Sequence, residues 1–143
     1  PRLDSLTRKR MELYFRISNY RQASLWLDYS RRDDTIATYV GRGCNATRVR
    51  NIADSQQPVS RDKIEVLRIC PIAGCESVLA AALKQADDRT LFVIEDIGYN
   101  DTARRLWQTL LESDITSVSY DLYYLGIAFF DRNRYKNNYI VNF

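Results

Sequence analysis

The chain has 143 residues, 45% apolar and 27% charged, with a formal net charge of +3; this is an ordinary globular composition with material for one core, and it argues against a disordered chain. No run approaches 18 consecutive apolar residues, so no segment reads as a membrane-spanning helix, and the lack of histidine excludes Cys-His nucleophile pairs and the common zinc sites. The charge is uneven: 13 Lys/Arg stand against 7 Asp/Glu through Lys63 and 8 against 11 beyond it, which sets a basic opening region before a mildly acidic remainder.

From Ser5 to about Tyr29 good helix formers carry Leu6, Leu13, Ile17, Tyr20 and Leu27 at near-heptad spacing, and Asp4 or Ser5 can cap the start. Ser18-Asn19 is a candidate break. Arg8, Lys9, Arg10, Arg16 and Arg21 alternate here with Tyr14, Phe15, Tyr20 and Trp26, a pattern that fits a helix packed on a core with its charges in water better than one lying on a membrane or a nucleic acid. The chain start, Pro1-Arg2-Leu3-Asp4-Ser5, has no signal-peptide character. An N-terminal proline base of the tautomerase kind would enter a strand directly, whereas this chain enters a basic helix.

Asp33 or Asp34 can cap a helix through Tyr39, and Gly41-Arg42-Gly43 breaks it before a further helical run from Asn45. Residues 33–54 resemble the DNA-binding helix-turn-helix, with Ala37 and Gly41 standing four apart as its small residue and turn glycine do. The resemblance implies a recognition helix at Asn45–Ile52 that offers Asn45, Arg48, Arg50 and Asn51, with Arg42 beside it, to phosphates and base edges. It departs from the motif where Arg42 replaces an apolar residue and where Val49 and Ile52 fall about two places late. Ser55-Gln56-Gln57-Pro58-Val59-Ser60 has the character of a connector.

Ile64–Cys70 reads as a strand ended by Pro71 and Gly74, and Glu76 to Ala86 as a helix with a Val78, Leu79, Ala82, Leu83, Ala86 stripe. Leu91–Ile94 is apolar without alternation, as a strand covered on both faces should be. Asn100 or Asp101 caps the next helix, striped by Ala103, Leu106, Trp107, Leu110 and Leu111, and helical connections of this kind imply parallel strands. Ile115–Phe130 is β-rich, with Gly126 as a bulge or bend, and Tyr135, Tyr139, Val141 and Phe143 alternate with polar residues as the second strand of a hairpin at the sheet edge. The expected fold is therefore α/β, or α+β. It has a small mixed sheet in βαβαββ order, two parallel crossovers, a C-terminal antiparallel hairpin and an N-terminal helical arm. A helical basic region at 1–57 and a sheet-bearing body at 58–143 should form one compact unit.

Candidate chemistry is sparse. Cys75 sits near a helix start, where the helix dipole favours a thiolate. Cys70 and Cys75 would close a small disulfide loop in an oxidising compartment and leave Cys44 over, but the expected state is reduced thiols in the cytoplasm. Ile72-Ala73-Gly74-Cys75 matches a lipoprotein cleavage box but lies mid-chain without its apolar leader. Glu95, Asp96 and Asp101 could gather around a magnesium ion. Leu91–Ser113 resembles the opening of a response-regulator receiver domain, and Tyr120–Leu125 its phospho-acceptor strand. Gly126 stands where the receiver's aspartate would be, so no phosphorylatable receiver is implied, and Glu95, Asp96 and Asp101 read as solvated loop and helix-start acids. No cofactor is indicated. The leading expectation is a soluble, non-enzymatic interaction or assembly module that binds a protein or a second copy of itself through the edge hairpin and its tyrosines. A nucleic-acid-binding regulator is the first alternative, and an acid- or thiol-dependent enzyme the second.

Overall fold

Asp4 opens the first helix, α1 (Ser5–Arg21), by accepting the Thr7 N–H at 2.7 Å. Gln22 closes it in the left-handed region, φ 50°, with its N–H on the Ser18 carbonyl at 2.9 Å. The computed structural model describes residues 4–31, 34–53 and 63–142. Pro1, the Asp33 cap, the Ser55–Ser60 connector with the division at 57/58, and Phe143 lie outside the described residues.

The helix expected to run to Tyr29 gives way to a strand, β1 (Leu25–Tyr29). Trp26, Leu27, Asp28 and Tyr29 are all buried, so β1 is covered on both faces and shows no alternation. α2 (Asp34–Gly43) follows, and then β2 (Arg48–Asn51), a strand where the helix-turn-helix resemblance placed a recognition helix. The late positions of Val49 and Ile52 now have a cause: Val49 and Asn51 are half-buried and alternate with exposed Arg48 and Arg50, the period of an edge strand. The Arg48 N–H on Ser24 O (3.0 Å) and the Ile52 N–H on Asp28 O (2.9 Å) knit β2 parallel to β1. Gly43 is small because α2 meets α1 there; a Cβ would stand 2.8 Å from Ser18 Cβ and 2.9 Å from Asn19 N.

β3 (Val66–Ile69), α3 (Cys75–Leu83), β4 (Leu91–Glu95) and α4 (Asp101–Glu112) lie where the periodicity puts them, and the Asn100 side chain caps α4 by accepting the Ala103 N–H at 3.0 Å. The long β-rich run folds back on itself as β5 (Val118–Asp121) and β6 (Leu125–Phe129), turned tightly at Leu122–Tyr124 with Tyr123 at φ 71°. Gly126 is no bulge; it pairs in register with Ile94 and Asp121 and leaves room for the Trp107 ring, which a Cβ would approach to 2.5 Å.

The last strand, β7 (Asn137–Ile140), pairs parallel with β5 and not antiparallel with the strand before it. β4 and β5 already occupy both edges of β6, so the chain leaving β6 pairs at the nearer open edge, beyond β5.

The described residues thus make one mixed α/β sheet in the order β2-β1-β3-β4-β6-β5-β7, in which only β6 runs against the others. α1 and α2 pack on one face over Trp26, Val66, Leu91 and Val93; α3 and α4 pack on the other over Leu27, Leu67, Phe92 and Ile94. Leu91–Ile94 is the most deeply buried stretch of strand, as its unbroken apolar run implies. Among the described residues no helix is long and apolar enough to cross a membrane.

Candidate functional site

Alternation along three neighbouring strands sends Asp28, Arg68 and Glu95 to the α1 side of the sheet near its carboxyl end, and all three are buried. Arg68 is the hub. Its Nη1 donates to both oxygens of Asp28 at 3.1 Å, and its Nε donates to Glu95 Oε2 at 2.7 Å and to the Tyr14 hydroxyl at 3.1 Å. Tyr14, reaching down from α1, donates in turn to Glu95 Oε2, while Ser30 donates to Asp28 Oδ2. Arg10, a turn earlier on α1, donates to Asp96 and to the Tyr124 carbonyl (3.4 Å) and holds its Nε 3.5 Å from Glu95 Oε1.

Two influences oppose each other at Glu95. Burial pushes its carboxyl up to about 8, and Asp96 pushes the same way, while Arg10 pulls it back. The Arg68 Nε–H acts with Arg10, and the Tyr14 proton also points at the carboxyl. With two guanidinium groups and a phenol proton directed at it, we assign Glu95 as the carboxylate. The cluster is closed on itself beneath α1, so its chemistry is to fix α1 and the ends of β1, β3 and β4 together.

Around this cluster the residues singled out in the sequence do not assemble into a catalytic or metal centre. Glu95 faces Arg68 and Arg10, Asp96 is paired with Arg10, and Asp101 is exposed at the first residue of α4; among the described residues no group of three His, Cys, Asp or Glu could hold a metal. All three cysteines are free. Cys75 is fully buried, its thiol donates to Glu76 at 3.4 Å, and burial followed by Glu76 pushes it up to about 11, opposite to the activation that a helix start alone would give. Arg42 lies over the Tyr39 ring at 5.2 Å, Asn45 is in an exposed turn, and Arg48 and Arg50 project from the β2 edge, so these residues do not share a helix face. Asn51 is used internally, donating to Ser30 O and accepting the Ala53 N–H, both at 2.9 Å.

The strand order reverses direction at β1. β2 lies to one side, reached through α2 on the α1 face, and β3 lies to the other, leading into α3 on the opposite face. The connections leaving β1 and β3 therefore part, the arrangement that in open α/β sheets places a crevice at the carboxyl ends of the strands. The loops at that point are Ser30 and Arg31 after β1 and Cys70–Gly74 after β3. The second loop is pinned by the Cys70 N–H on Tyr29 O (2.9 Å) and the Tyr29 hydroxyl on Ala73 O (2.5 Å), with Gly74 at φ 89°.

At the opposite end of the molecule the α1 face is open over β5 and β7. A cleft of about 320 Å³ is lined by Tyr20, Arg21, Tyr120, Phe129, Asp131 and Arg134, and an apolar groove of about 270 Å³ adjoins it along Ile17, Leu122, Ile127 and Val141. Tyr120 stacks on Tyr139 across β5 and β7, centroids 5.5 Å apart and planes at 21°. β7 is exposed along its whole length.

Sequence reasoning missed Tyr14, Asp28 and Arg68. Its available signal was a single charge inside each of two apolar runs, Leu25-Trp26-Leu27-Asp28-Tyr29 and Val66-Leu67-Arg68-Ile69, since a charge there must find a buried partner. No protein-family model, curated protein or solved structure matches the chain.

Proposed function

We propose that this chain is a doubly wound ligand-binding domain whose site is the crevice between the carboxyl ends of β1 and β3, and that it takes an uncharged or cationic small organic molecule rather than a phosphate ester. The observation that carries this reading is the reversal of strand order at β1, because open α/β sheets bind ligands where such a reversal parts the loops. The choice of ligand charge follows from the start of α3, just after the β3 loop. α3 carries Glu76 in its first turn, so the helix start that would otherwise attract phosphate presents a carboxylate. The reading rests on topology and charge and assigns no reaction. Amide NMR titrations with adenosine and with AMP test it. Shifts at Ser30, Arg31 and Cys70–Gly74 with adenosine, weaker with AMP, are expected; shifts confined to other surfaces, or a preference for AMP, would overturn it.

A second reading, the protein-interaction module, is supported by β7, an edge strand exposed throughout and bordered by Tyr135, Tyr139, Ile140 and Val141. Partner capture that survives Ile140→Lys unchanged would remove this reading. The basic group Arg42, Arg48 and Arg50 supports a nucleic-acid partner less, since the segment meant to enter a groove is a strand. Three free thiols suit a reducing, cytoplasmic setting.

A further inference from the structure

We infer that β7 pairs antiparallel with β7 of a second copy of this chain across a two-fold axis at Ile140, which would continue the sheet through both molecules; the inference rests on the interaction reading of this edge. The backbone supplies the register. The N–H groups of Asn137 and Val141 point inward to Ser117 O (3.0 Å) and Asp121 O (2.8 Å), so alternation directs those of Asn138, Ile140 and Asn142 outward. An axis through Ile140 sets Ile140 opposite itself and Asn138 opposite Asn142, which are the hydrogen-bonding pairs an antiparallel ladder needs. The same register sets Tyr139 opposite Val141, both on the open α1 face, and turns Ile140, 84% exposed in the single chain, toward its own counterpart.

Charge distinguishes this edge from the other. From Asn137 to Asn142 β7 and its extension carry no charged residue, so self-pairing brings no like charges together. On β2 the exposed residues are Arg48 and Arg50, and pairing that edge with itself would face guanidinium against guanidinium. A strand pair of this length buries less than a standard interface, so the dimer should be weak and concentration-dependent.

The test is disulfide trapping combined with sedimentation. Ile140→Cys should give a covalent dimer on mild oxidation, because residues facing across a hydrogen-bonded pair have Cα atoms about 5.5 Å apart. Asn138→Cys should not, since its own counterpart lies four residues along, roughly 14 Å away. Wild type should sediment increasingly as dimer with concentration, and Ile140→Lys should stay monomeric with an unchanged circular dichroism spectrum. A wild-type chain that is monomeric to roughly millimolar concentration, or equal trapping of both cysteine variants, overturns the self-pairing. If partner capture is nevertheless lost with Ile140→Lys, the edge reading stands with a different partner; if capture is unaffected as well, both fall.

Discussion

The four parallel strands and the three that follow them are held by different means. β1, β3 and β4 are buried on both faces and carry Asp28, Arg68 and Glu95 inside the molecule, where each charge depends on the others. Only edge strand β2 among the four exposes side chains along its length. β6, β5 and β7 have no buried ion pair among the described residues; Trp107, Phe129, Tyr120 and Tyr139 hold them by ring packing, and their α1 side opens into clefts. The proposed ligand site lies at strand ends of the first group, and the proposed association edge belongs to the second.

The largest expected effect breaks the first half at its hub. Arg68→Met leaves two buried carboxylates without their shared guanidinium and should cost about 3–5 kcal/mol in urea unfolding; Arg68→Met combined with Asp28→Asn and Glu95→Gln should recover part of that loss. Tyr14→Phe removes only the hydroxyl that bridges Arg68 and Glu95 and should cost about 1.5–3 kcal/mol. Gly126→Ala probes the covered side of the second half, where the new methyl meets the Trp107 ring; a cost of about 1–3 kcal/mol is expected. Ile140→Lys, on the open edge, should change the stability of the monomer by less than about 0.5 kcal/mol, and a larger loss would show that β7 is not free in the single chain. The smallest effect is a pH dependence at the start of α1. Hydrogen bonds from Thr7 hold the Asp4 carboxyl below its ordinary 3.8, so its stabilisation is present above that pH and is lost as the pH falls through the lower folded value. Unfolding curves from pH 5 to pH 2 should show this loss for wild type and not for Asp4→Asn.

The central run from Val66 to Glu112 was legible because its elements are separated by strong punctuation and its helices carry clean stripes. β1 was not. It begins three residues after Gln22, is apolar on both faces, and places Leu27 where a continuing helix would also want a leucine. β2 hid behind glycines that suggested a turn between helices, although Gly43 serves the contact with α1. For β7 the residue alternation was readable and the pairing was not, because its partner depends on β4 having taken the free edge of β6. The buried cluster escaped for a similar reason: Tyr14, Asp28, Arg68 and Glu95 are spread over 82 positions of sequence, and only the folded register brings them within reach of one another.

The bond between Arg10 and Asp96 ties the second turn of the opening helix to the loop after β4, 86 residues further on. A shortened version of the chain that began at Leu25 would keep every described strand and still be a poor miniature, because Glu95 would lose its Arg10 and Tyr14 contacts and meet water from above. Proteolytic clipping inside residues 5–21 should for that reason register as global unfolding and not as the trimming of an appendage.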